Sequence, residues 1–339
     1  MSGPLVRFRS VWFLLLAALL VSCNNSPPPA QVGPEIETGK PSTLAKRPIG
    51  ISVLTLTNPF FGTIADTITA EVKKEGYETI VVAGELDVKK QESQVEDFIT
   101  RGCSAIVLCP CDSKAIGPAI QKANSAGIPV FTVDIGCLAP EAKVVSHIAT
   151  DNYGGGKQAG EAMIEALAGQ GGKVVILDLV KVESCQLRVK GFKEVIAAHN
   201  DKNADRKIVI VDELPGDGDR ERGFKATQDA LQAHDDLAGI FAINDPSALG
   251  AYGALKQAEK TAQVKIIGFD GQDIGKEAIR DGKIYADPIQ YPDRMGVLTA
   301  QSIIKYFDGE RIPPEQLIPT ELYRQADGLK DPTLKKAAP

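Results

Sequence analysis

Tryptophan and histidine are scarce in this sequence, and each scarcity narrows what the chain can do. The only histidines are His147, His199 and His234. There is no Gly-x-Ser-x-Gly nucleophile elbow, no His-Glu-x-x-His and no Walker-type phosphate loop. Gly154-Gly155-Gly156-Lys157 lacks both the spacing and the Ser or Thr of the last. An enzyme is not expected, and neither is a metal or a cofactor. The one tryptophan, Trp12, lies in an N-terminal apolar stretch, so ring contacts to a ligand must come from phenylalanine or tyrosine. Basic residues are also outnumbered: 38 Lys and Arg face 44 Asp and Glu, giving a net charge of −6 with both signs interspersed. With no basic stripe, nucleic acid is excluded as a partner. Beyond residue 22 no apolar run approaches the length of a membrane span.

The short apolar run that is present stands at the start. Arg7 and Arg9 precede Val11 to Val21, and Leu20-Val21-Ser22-Cys23 closes the stretch with small residues. This pattern predicts an export signal over residues 1–22. The final four residues resemble the bacterial lipobox, which implies cleavage before Cys23 and a lipid on Cys23. Such a chain is a lipoprotein held at a membrane surface, in the periplasm or on the cell surface. An ordinary signal with a chance cysteine is the other reading. Residues 23–46 are rich in Pro, Ser, Gly and Asn without apolar periodicity, and are expected to be a disordered tether.

From Pro48 onward, apolar runs of strand length alternate with amphipathic stretches of helix length, the signature of parallel sheets covered by helices. Strands are expected at Ile49–Leu56, Thr79–Ala83, Ala105–Cys109, Val130–Val133, Lys143–Ile148, Val174–Leu179, Ile208–Asp212, Gly239–Ile243 and Val264–Phe269. The stretch Phe60–Lys74 places Ile64, Ile68 and Val72 on one helical face. The folded region of about 290 residues exceeds what one core usually serves, so two α/β lobes are expected, with a crossover near Asp151 to Gly156.

In open parallel sheets ligands bind beyond the C-terminal ends of the strands. The polar and aromatic residues there are Asn58 with Phe60 and Phe61, Asp134, Asn244-Asp245 and Asp270. Carboxylates, amides and ring faces suit a sugar, whose hydroxyls both donate and accept and whose C–H faces pack on rings. Taken singly, each has a plainer use: Asp or Asn after a strand caps the next helix, and Phe fills a core.

Several segments together resemble the bacterial ribose-binding protein family. They are Leu56-Thr57-Asn58-Pro59-Phe60-Phe61, Gly127 to Asp134, Val145 to Asn152, Asn244-Asp245 with Ala248 to Ala251, and Gly268-Phe269-Asp270-Gly271, in order from about Pro48 to Tyr323. The resemblance implies an α/β fold of the type I periplasmic binding protein kind: two doubly wound parallel-sheet lobes joined by a three-crossing hinge. The lobes would be 47–149 with 291–321 and 150–290 with 322–339, crossing near Ala149–Asp151, Gln290–Tyr291 and Glu321–Leu322. It also implies ligand contacts from Asn58, Phe60, Phe61, Asp134, Arg188, Asn244, Asp270 and Gln290. Cys109 stands where the family has a ligand Asn, Ile135 replaces an Arg, and Gly218 replaces a ring. By resemblance the chain is a monomer that captures a monosaccharide, a ribose-like pentose or related sugar, and delivers it to the permease of an ABC importer. The alternative is a sugar sensor presenting its closed form to a membrane receptor.

The cysteines beyond Cys23 are Cys103, Cys109, Cys111, Cys137 and Cys185. Cys109-Pro110-Cys111 follows one strand and Cys137 the next, which favours a Cys111–Cys137 or Cys109–Cys137 bridge over a zinc site, with free buried thiols as the other reading. A zinc site is disfavoured, because Cys-x-Cys lacks the usual spacer.

Overall fold

Runs such as Ile49-Gly50-Ile51-Ser52-Val53 are buried on both faces, as in strands that carry helices above and below. In the computed structural model, which describes residues 47–334, they form two six-stranded sheets. The first is built from β1 (Ile49–Val53), β2 (Thr79–Ala83), β3 (Ala105–Leu108), β4 (Val130–Val133), β5 (Ser146–Thr150) and β11 (Glu315–Ile318), in the order β11-β5-β4-β3-β1-β2 and all parallel. The second holds β6 (Gly172–Asp178), β7 (Ile208–Pro215), β8 (Leu237–Ala242), β9 (Lys265–Ile267), β10 (Ala286–Ile289) and β12 (Glu321–Arg324), ordered β12-β10-β9-β8-β6-β7. Only β12 runs antiparallel to its neighbour.

Helices α1 (Pro59–Lys74), α2 (Val88–Thr100), α3 (Gly117–Ser125) and α9 (Pro292–Phe307) cover the first sheet. Helices α4 (Asn152–Ala166), α5 (Glu183–Lys202), α6 (Arg220–Ala233), α7 (Asp245–Gln257), α8 (Asp273–Arg280) and the short α10 (Gln325–Gly328) go with the second. The expected stripe on α1 is buried, with Phe60, Phe61, Ile64, Ala65, Ile68 and Val72 facing inward. Each of its large apolar side chains contributes about 1.5–3 kcal/mol of transfer free energy.

The chain crosses between the lobes three times, from β5 to α4, from β10 to α9 and from β11 to β12. The third crossing comes at Pro319 and Thr320, because Glu321 already pairs with Ile289 in the second sheet. All nine expected strands occur, Thr79–Ala83 and Val130–Val133 with the expected ends and the other seven with shifted ones, whereas β10, β11 and β12 were not expected. Each is four residues long and carries Asp, Pro, Glu, Gln or Arg.

The glycines after Asp151 have a packing role. A Cβ on Gly156 would stand 2.1 Å from the carbonyl oxygen of Arg188, and one on Gly155 would stand 2.5 Å from the Phe269 ring. Bare backbone therefore brings α4 against α5 and β9, and this seats Arg188. The export signal, Cys23 and the tether lie outside the described residues.

Candidate ligand-binding cleft

The loops at the C-terminal ends of β1 and β4 meet those of β6, β8, β9 and β10 around a cavity of about 310 Å³ between the lobes. That volume sits at the small end of the usual 300–1,000 Å³ range for small-molecule sites. Asn58, Phe60, Phe61, Asp134, Arg188, Asn244, Asp270 and Gln290 all line it.

On the first-lobe side, Asn58 caps α1, its Oδ1 accepting from Phe60 N at 3.0 Å. The cap turns Phe60 and Phe61 inward, edge to face with centroids 5.3 Å apart. Asp134 leaves β4 with φ +63, an uncommon conformation for a residue with a Cβ, held by a bond from its N–H to Ile148 O at 2.8 Å. Its Oδ1 has no hydrogen-bond partner within the protein. Burial is the main cause that pushes the carboxyl up to about 7. The Arg188 charge pulls the other way, and the negative charges of Asp270 and Glu183 add to the rise.

On the second-lobe side, Arg188 is 4% exposed and works as a hub. Its Nη1 donates to Asp270 Oδ1 at 3.0 Å and to Ile243 O at 2.7 Å. Its Nε donates to Asn152 Oδ1 at 2.8 Å, and its Cζ lies 3.9 Å from the Phe269 ring centroid. Asp270, with φ +101, also accepts from Gln290 Nε2 at 2.6 Å and from Gln272 Nε2 at 3.2 Å. Burial raises its carboxyl above the ordinary value against the opposing pull of Arg188 and the two amides. Thr150, at the first crossing, donates to Gln290 Oε1 at 2.7 Å. Asn244 is occupied within its own lobe, capping α7 at Ser247 N (3.1 Å) and donating to Gly218 O at 3.0 Å. For Asn58 and Asn244, then, the plain capping use and the cleft position hold together.

Cys109 is the residue that does not reach the cavity. It is fully buried behind Asp134, with Sγ 3.9 Å from Oδ2, because it continues the inward-facing alternation of β3. The expected disulfides are also absent, and all five cysteines among the described residues are free. Cys109 belongs to one apolar cluster, whereas Cys137 packs against another, and Cys111 Sγ lies against Leu54 O at 3.8 Å rather than another sulfur. Among the lining residues that the sequence did not single out are Gln272, two positions beyond Asp270, and Cys185, one helical turn before Arg188 on the same face of α5. Both spacings carried the signal. Ile135 and Gly218 line the cavity where the resemblance placed departures.

The lobes also touch directly. Ser113 N donates to Lys181 O at 3.0 Å, and Ser113 Oγ accepts from Glu183 N at 2.9 Å. Among the described residues no cluster of three or more His, Cys, Asp and Glu side chains could hold a metal ion.

Comparison with known proteins agrees with this architecture. The profile of the periplasmic binding protein domain matches residues 49–311. The ribose import binding protein of Escherichia coli (strain K12) is 38% identical over 272 residues, covering 80% of this chain and 88% of the relative. The protein of the same name from Bacillus subtilis (strain 168) is 34% identical over 320 residues, covering 93% and 98%. An ABC transporter periplasmic solute-binding protein from Actinobacillus succinogenes 130z, solved with bound D-allose, superimposes with a TM-score of 0.76 at 26% identity, covering 84% of this chain and all of that one. A two-lobed architecture, a cleft at the strand ends and a profile match across most of the chain lead to one assignment: this chain belongs to the periplasmic binding protein domain family.

Proposed function

We propose that the chain captures a monosaccharide, a ribose-like pentose or a related sugar, between its lobes and delivers it to an ABC importer. One observation carries the reading. A single cavity is lined by Asp134, whose carboxylate keeps one oxygen without a protein partner, from one lobe and by the Arg188–Asp270–Gln290 network from the other. A carboxylate accepts from neighbouring hydroxyls, guanidinium and amide groups donate to their oxygens, and Phe60 and Phe61 offer faces to C–H groups. The named ligands of the relatives, ribose and D-allose, are of this chemistry. Contacts from both lobes stabilise the closed arrangement, so the sugar shifts the population toward it.

The reading involves no bond making or breaking. No histidine lines the cavity, and the Cys185 thiol beside it is pushed up to about 12 by burial, which keeps it from acting as a thiolate. The protein would work as a monomer outside the cytoplasm, tethered by lipid on Cys23, and Cys23→Ser should release it from membranes. The deciding experiment for the ligand is a thermal-shift panel of monosaccharides. A sugar at a hundred times its Kd stabilises by about 2.7 kcal/mol. A flat response to every sugar, with a clear response to an amino acid or another metabolite, would overturn the assignment.

A further inference from the structure

We infer that the cleft selects a sugar that presents a methyl group or a deoxygenated carbon to a wall formed by Ile135, Leu179, Val182 and Cys185. The inference rests on the sugar reading above and narrows it. Ile135 follows Asp134 directly, is 2% exposed and lines the cavity. Facing it from the other lobe, Val182 is 1% and Cys185 5% exposed, and both belong to the same apolar cluster as Ile135, with Leu179 packed against it. The backbone of this wall is satisfied locally, Ile135 N donating to Val133 O at 2.7 Å and Val182 N to Leu179 O at 3.4 Å.

The polar groups of the site come from other lining positions, among them Asn58, Asp134, Arg188, Asn244, Asp270 and Gln290. A ligand gripped by them can turn its remaining face to aliphatic carbon and a thiol. Ser184, between Val182 and Cys185, brings a hydroxyl into the same stretch of chain. A sugar hydroxyl directed at the wall leaves water and gains little in exchange, whereas a methyl or methylene group buries apolar surface at no polar cost. Closure itself assembles the wall, since Ile135 comes from one lobe and the other three residues from its partner.

The test is titration calorimetry with matched pairs that differ in one hydroxyl: D-fucose against D-galactose, L-rhamnose against L-mannose, 5-deoxy-D-ribose against D-ribose, and 6-deoxy-D-allose against D-allose. Among the pairs that bind, the deoxy partner is expected to bind about 10- to 100-fold more tightly, the range over which an apolar pocket discriminates an added hydroxyl. Ile135→Ser and Val182→Thr, made in opposite lobes and each checked for an intact melting transition, should shift that ratio toward the hydroxylated partner. A preference for the hydroxylated partner in every binding pair, or a ratio unmoved by both variants, overturns the inference while leaving the sugar assignment standing. Should Ser184→Ala abolish such a hydroxylated preference, the wall is polar in function and the inference is equally overturned. An absence of binding by any sugar overturns the sugar reading and this inference with it.

Discussion

Replacing Asp270 by Asn removes one charge from the centre of the second-lobe network while conserving shape. Asp270 is 5% exposed and Arg188 4%, so the variant leaves a buried guanidinium without its counter-charge. Removing one partner of a buried pair costs about 3–5 kcal/mol. Three features of this site pull toward less. The amide oxygen still accepts from Gln290 Nε2, now at 2.6 Å from Oδ1. Arg188 keeps Ile243 O, Asn152 Oδ1 and the Phe269 ring. The lost charge also relieves Asp134, Asp245 and Asp287, each of whose carboxyls Asp270 pushes upward. The expected loss is therefore about 2–3 kcal/mol, seen as a fall in Tm of about 4–12 °C. Scanning calorimetry of Asp270→Asn, Arg188→Met and the double variant measures it. The double variant should lose less than the sum of the singles, by about 0.5–3 kcal/mol, because the two groups interact directly. A Tm change of less than about 2 °C for Asp270→Asn, together with additive losses, would refute the view that the pair holds this lobe's half of the site.

Other consequences follow from the same geometry. The Asp134 carboxyl, pushed up to about 7 by burial, must be ionised to accept from two hydroxyls, so sugar affinity should rise as pH climbs through neutrality and level off above it; calorimetric Kd values from about pH 5 to 8 check this, and Asp134→Asn should flatten the profile. Asp245 and Asp287 are fully buried beside each other. Asp287 is raised to about 6, chiefly by burial, so the neutral form is favoured in the fold and stability falls as pH rises from the unfolded carboxylate range through that value. Asp287→Asn should weaken this fall, and melting curves across the same pH range would reveal it. Cys109, Cys111 and Cys185 are buried and burial raises each thiol, so alkylation of the native protein should be slow at all three, with bound sugar slowing Cys185 further; fast labelling of Cys109 would contradict its place behind Asp134.

The legibility of the site depended on where each residue's signal resides. Asn58, Asp134, Asn244 and Asp270 stand immediately after apolar runs, and that local pattern is enough to place them at strand ends, where parallel sheets open. Arg188 and Gln290 have no such local mark; Arg188 is a helical residue and Gln290 follows a strand containing Asp and Pro, so only family resemblance singled them out. Cys109 was misplaced because a loop position in a motif does not reveal which face of the sheet the side chain takes. One residue of alternation separates the cleft from the core.

By itself the sequence determined the alternation of strands and helices, the existence of two α/β lobes and the strand-end carboxylates, because apolar periodicity and residue type are local properties that a linear chain displays openly. Only the tertiary structure decided that β10, β11 and β12 complete the sheets, since short polar strands owe their pairing to neighbours already in place rather than to their own composition. Tertiary structure alone also decided that Cys137 packs with a different apolar cluster from Cys109, and that Ile135 lines one cavity with Val182 and Cys185 of the opposite lobe. Those relations join residues far apart in sequence through the stacking of layers, a distance that no local pattern encodes.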